Sequence, residues 1–195
     1  MKKSKRVITR RDFLRTSSYM AMGSLIALPL MGRAADAKTD KSRVVLIRDK
    51  RVMDGSGALR PGNLADMMDQ AMITLFNTNN APAAWQQLFS PVDVVGIKSN
   101  AWARLPTPRE LEDTLQKSVV AAGVQSQNIS VDNRGVRQNP IFKNSTALIN
   151  VRPMRTHHWS GLGTLLKNYI MFVSQPWIYH GNACEKLSAI WENSH

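Results

Sequence analysis

The chain is 195 residues long, 43% hydrophobic and 21% charged. That is the composition of one globular domain, two at most, and it excludes a disordered, collagenous or coiled-coil chain. Its net charge of +12 divides unevenly: residues 1–37 hold eight basic and two acidic residues, and the remainder holds 18 and 12, so the body is only mildly basic, which favours anionic partners and argues against nucleic acid.

The first 37 residues read as an address. A basic start runs into Thr9-Arg10-Arg11-Asp12-Phe13-Leu14-Arg15, an apolar stretch follows from Tyr19 to Met31, and Ala35-Asp36-Ala37 closes it. This is the order of a signal peptide, and the arginine pair followed by Phe-Leu-Arg resembles the twin-arginine export signal. The apolar stretch is shorter than the roughly 20 residues of a membrane span and contains Gly23 and Pro29. The expectation is therefore cleavage after Ala37, passage through the twin-arginine translocase and a periplasmic or otherwise exported body without a stable membrane span. Substrates of that route cross the membrane folded, and many carry a cofactor.

The body, residues 38–195, reads as one α/β domain. Arg43–Arg48 is an apolar β-type run and the expected first strand. Turn residues follow at Asp54-Gly55-Ser56-Gly57 and Arg60-Pro61-Gly62. Asn63 is placed to cap a helix to about Asn77, whose stripe is Leu64, Met67, Met68, Ala71, Met72, Leu75 and Phe76. The methionines are core filler in this reading. Pro82–Phe89 forms a short helix with Trp85 inward.

Asp93–Asn100 is a strand whose apolar run does not alternate, as suits a central parallel strand. Thr107-Pro108-Arg109-Glu110 starts a helix that stops at Gly123. Asn128–Asp132 is the third strand and Ala147–Val151 the fourth. Gly161–Val173 and about Asn182–Glu192 complete the chain as helices. The expected fold is a mainly parallel open sheet with flanking helices.

In such sheets ligands bind beyond the carboxyl ends of the strands. Lys98 and Asn100 follow the second strand, Asp132, Asn133 and Arg134 the third, and Arg152, Arg155, Thr156, His157 and His158 the fourth. Lys167 and Asn168 join them from the next helix. The basic members suit a carboxylate or phosphate, so an anionic small molecule or cofactor, as part of a redox system, is the expected ligand. Ser160-Gly161-Leu162-Gly163-Thr164 would offer free N–H groups at a helix start, but it is neither a P-loop nor a complete dinucleotide fingerprint.

A metal ion is the competing reading. His180 and Cys184 are four apart, and on a helix would share a face. With His157 they would make three ligands and an open position, the arithmetic of a catalytic metal. Asp132 could instead orient His157 as a general base. A non-catalytic partner of another exported protein is the third class.

Several of these stretches also resemble the domain-of-unknown-function 362 family. They are Asp93–Asn100, Thr107-Pro108 opening a helix, Ala122-Gly123-Val124 before Asn128-Ile129, Leu148–His157, and Gly161, Gly163-Thr164, Leu166-Lys167-Asn168. The resemblance implies that Lys98, Asn100, His157, Lys167 and Asn168 are motif positions; Arg155 stands where a lysine is usual. It supplies no reaction. Some relatives carry ferredoxin-type cysteine clusters, which this chain lacks, and family members run on beyond a Glu192-like position, so a shortened, incomplete domain is expected.

Overall fold

The computed structural model describes residues 42–192. The export signal expected over residues 1–37 lies outside them. Among the described residues no helix is long and apolar enough to cross a membrane.

The expected strand Arg43–Arg48 does not form. The segment is irregular, with Val44 87% and Leu46 73% exposed. Its residue types favour a strand, but pairing needs a sheet edge, and it finds none among the described residues. A short turn at Lys50–Val52 and a bridge between Met53 and Leu59 lead to helix α1, Pro61–Phe76. Pro61 opens α1 because its missing N–H costs nothing there, so the cap falls at Arg60 and not Asn63. Asn77 closes it at φ 54, its N–H bonding Ile73 O. Helix α2, Ala81–Trp85, is capped by the Asn80 side chain, which accepts from Ala83 N.

Strand β1, Val95–Lys98, is buried at all four positions. Helix α3, Arg109–Ala121, connects it to β2, Ile129–Asp132. The short helix α4, Pro140–Lys143, then leads to β3, Ala147–Asn150. The three strands form a parallel sheet in the order β2-β1-β3, with Lys98 opposite Asp132 on one side and Asn150 on the other. The α/β class read from the sequence is the class observed.

Alternation along β1 divides its neighbours. Val95 and Ile97 join the main core with Trp85, Leu115, Val119 and Ile129. Gly96 belongs to the opposite face, where a Cβ would meet the Phe142 ring at 2.9 Å and Leu148 at 3.0 Å. Lys98 shares that face, and so is aimed at the segment that succeeds β3.

That segment departs from the helices expected of it. Strand β4, Arg155–His157, and strand β5, Gly161–Gly163, pair antiparallel. Gly161, at φ 69, lets the chain turn back into β5 where a helix start was expected. The helix is reduced to α5, Leu165–Asn168, running into a 3-10 turn at Tyr169–Phe172. Further 3-10 turns cover Pro176–His180 and Asn182–Glu192. The expected last helix is broken at its start, because Asn182, Ala183 and Cys184 all take positive φ. Ile170, Cys184, Leu187 and Ile190 form a second, smaller core there.

Candidate functional site

The carboxyl ends of the strands are tied together before any site is built. Thr107, expected as a helix cap, accepts from Asn100 N at 3.1 Å and donates to Val151 O at 3.4 Å, so it bridges the ends of β1 and β3. Asn168 sits between the same two ends. Its Nδ2 donates to Asn150 Oδ1 at 2.8 Å and lies within 3.2 and 3.3 Å of Lys98 O and Val151 O. Asn150 Nδ2 returns a bond to Leu165 O. These contacts fix α5 over the sheet end and bring Lys167 with it.

Lys98 is fully buried. Its Nζ donates to Ser99 O at 2.6 Å, Asn133 Oδ1 at 3.1 Å and Asn168 Oδ1 at 3.5 Å. Burial pushes its pKa down to about 7; Asp132 opposes this and Arg152 reinforces it. Asn100 Nδ2 also reaches Asn168 Oδ1, at 3.4 Å. Lys98, Asn100 and Asn168 therefore form one polar network.

Above this network lies a cavity of about 280 Å³. Asn100, Asn133 and Asn168 line it from the sheet side, and Arg134, Arg152, Arg155 and Lys167 bring its basic groups. His157, His180, Trp102, Ile170, Met171 and Pro176 complete the wall. Among the described residues no aspartate or glutamate lines it. The Arg155 guanidinium lies over the Trp102 ring at 3.8 Å, a cation–π contact.

Arg152 carries the least expected feature. It is only 9% exposed, yet its Nε and Nη2 find no hydrogen-bond partner among the described residues. Nor does Arg155 Nε. Gly163 makes room for this guanidinium, since a Cβ there would stand 3.2 Å from Arg152 Nη2. Burial and the neighbouring Arg155 both lower the Arg152 pKa. Buried donors of this kind are costly, because a guanidinium keeps its charge and must leave water without compensation.

The two cavity histidines, His157 and His180, are both pushed toward the neutral form. His157 Nδ1 accepts from the backbone N–H of Trp159 and of Ser160, both at 3.3 Å, which sets the hairpin turn. Burial, then Lys167, Arg155, His180 and Arg152 push its pKa down to about 4. His180 Nδ1 lies 3.1 Å from Pro176 O, so that nitrogen carries the proton and Nε2 faces Lys167 Nζ at 2.8 Å. Burial and Lys167 lower the His180 pKa as well. The Lys167 amine is pushed down to about 8, chiefly by burial; Cys184 opposes this, while Arg152 and Arg155 add to it.

Most of the expected ligand set thus converges. Asn100, Arg155, His157, Lys167 and Asn168 line the cavity, and Lys98 lies beneath it. Asp132 has a different task. Its Oδ1 accepts from Asn133 N and Gly135 N, and its Oδ2 from Asn139 Nδ2, so it shapes the loop after β2 and does not orient His157. The three-ligand metal set is not assembled. Among the described residues no three of His, Cys, Asp and Glu gather to hold a metal ion. The His157 and His180 rings stack at 5.9 Å, Lys167 takes the His180 nitrogen, and the Cys184 thiol is directed at His180 O, 4.0 Å away. The shared helix face that motivated the set is lost with the broken helix at Asn182–Cys184. A glycine-rich anion site at Ser160–Thr164 is lost too, since Gly161–Gly163 is paired as a strand.

The sequence alone places Arg134 and Arg152 among the basic groups and misses Trp102 and Pro176. Trp102 has a usable signal, standing two residues after Asn100 at a strand carboxyl end. Pro176 has none, because it reaches the cavity through turns without periodicity. No family model, curated protein or solved structure matches this chain.

Proposed function

We propose that the strand-end cavity binds a small anion, a carboxylate or a phosphate. One observation carries this reading: among the described residues, Arg152 Nε and Nη2 and Arg155 Nε are buried donors without partners, and no acidic residue lines their cavity. A sequence selected for stability alone would pair or replace such groups, since an unpaired buried charge costs several kcal/mol. Planar guanidinium forks match carboxylate and phosphate oxygens two at a time. The volume of about 280 Å³ suits a small metabolite and not a dinucleotide.

The reading is tested by calorimetric titration of the purified protein with inorganic phosphate and with oxalate. Saturable one-to-one binding is expected, weakened by salt and lost in Arg152→Met. Absence of binding by both anions contradicts it.

The placement of residues 1–37 as a twin-arginine export signal, and of the body in the domain-of-unknown-function 362 family, stands with this proposal. It is supported by the Arg10-Arg11 context and by the motif positions Lys98, Asn100, His157, Lys167 and Asn168. Replacing Arg10 and Arg11 with lysines is expected to leave the protein in the cytoplasm.

A further inference from the structure

Lys167 is 5% exposed and lines the cavity. The hydrogen bond of its Nζ runs to a neutral imidazole nitrogen, and no carboxylate pairs with it among the described residues. Arg152 and Arg155 line the same cavity with charges of the same sign. Burial and like charge both favour the free amine, which is the nucleophilic form of lysine. His180 is fixed by Pro176 O with its Nε2 lone pair directed at Lys167, so an acceptor for the amine proton is in place. Lys98 is a poor rival: it is fully buried and tied to three oxygens.

We propose that Lys167 forms an imine with the carbonyl of a small oxo acid, whose carboxylate is held by Arg152 and Arg155, with His180 relaying the proton. This rests on the anion-binding reading above. In the step, the Lys167 nitrogen lone pair forms a bond to the carbonyl carbon and the C=O π electrons move to oxygen. His180 Nε2 takes a proton from nitrogen and returns it to that oxygen, giving the carbinolamine. The nitrogen lone pair then forms the C=N bond as the hydroxyl leaves, and the remaining N–H proton passes through His180 Nε2 to that hydroxyl, which departs as water. Amine and carbonyl become imine and water, with no oxidant or reductant.

The purified protein is incubated with glyoxylate, pyruvate or 2-oxoglutarate, reduced with sodium borohydride, and analysed by intact mass and peptide mapping. Oxalate binding is measured in parallel by calorimetry. The expected result is one reduced adduct, mapped to Lys167 and absent from Lys167→Arg. Adduct formation at saturating oxo acid, where a change in affinity does not enter, is expected to slow by about tenfold or more in His180→Gln. If Lys167→Arg fails to fold by circular dichroism, the map of the wild-type adduct decides. Oxalate binding without trapping of any of the three acids overturns the imine and leaves anion binding standing. Loss of both overturns both. Adducts spread over exposed lysines, or an unslowed His180→Gln, also contradict the proposal.

Discussion

The two halves of the described chain are built on different principles. From Pro61 to Val151, one apolar core holds helices and a parallel sheet, and polar groups serve as caps and ties. From Arg152 to Glu192, a hairpin and a series of turns enclose a core of four buried residues, with Trp159 54% and Trp177 66% exposed. The first half, the floor, supplies Lys98, Asn100, Asn133 and Arg134. The second, the wall, supplies Asn168, the cations Arg152, Arg155 and Lys167, and the two histidines that stand over them. Unpaired buried charge is therefore concentrated where packing is weakest, so the wall costs stability that the floor must provide.

The largest expected effect separates the two cores. Ile97→Ala, at a fully buried position in β1, is expected to cost about 2–5 kcal/mol and to unfold the whole domain more readily. Leu187→Ala, in the smaller core, is expected to speed hydrogen exchange only between about Leu165 and Ile190. Denaturant melts and exchange measured on both variants check this. Equal loss of protection in both halves by Leu187→Ala would erase the distinction.

A middle-sized effect is the pH dependence of stability. The folded pKa of Lys98 lies near 7, below its ordinary value of 10.5. Between these values the unfolded chain binds more protons than the folded one, so stability rises with pH across that window. Lys167, near 8 when folded, adds to the rise from its own value upward. His157, near 4 against an ordinary 6.5, gives a rise between those two values. Urea denaturation from pH 4 to pH 10 should show increasing stability from the site groups, and Lys98→Met should flatten the slope above pH 7. A slope unchanged by that variant would mean that Lys98 is not held back from protonation.

The smallest effect probes the floor away from the cavity. Asn77 occupies the left-handed region at the end of α1. Asn77→Ala is expected to cost about 1 kcal/mol, seen as a small drop in thermal midpoint, with anion affinity unchanged.

The difference between the halves also explains how much is legible in the residues alone. The floor is legible because its signals are local and periodic. Val94, Val95 and Ile97 mark a doubly buried strand, Leu111, Leu115 and Val119 mark a helix face, and the strand-end rule then points to Lys98 and Asn100. In the wall the same logic fails. Gly161-Leu162-Gly163 fits a helix start or a hairpin equally well, and pairing with Arg155–His157 decides for the hairpin. Asparagine tolerates positive φ, but Ala183 and Cys184 have no local reason to adopt it; the packing of Cys184 and Leu187 with Ile170 accompanies it. Arg43–Arg48 has strand composition but no strand partner among the described residues. The site is legible because most of its members follow strands, and its metal reading is lost because that reading depends on a helix.

The central claim is that Arg152 is kept at the expense of stability in order to hold an anion. The most direct measurement is the thermal midpoint of the wild type and Arg152→Met, each with and without saturating phosphate or oxalate. The account predicts that Arg152→Met melts higher than the wild type without anion, by about 1–3 kcal/mol of stability, and that only the wild type gains from the anion. A variant that melts lower, or that gains as much from the anion as the wild type, would contradict it.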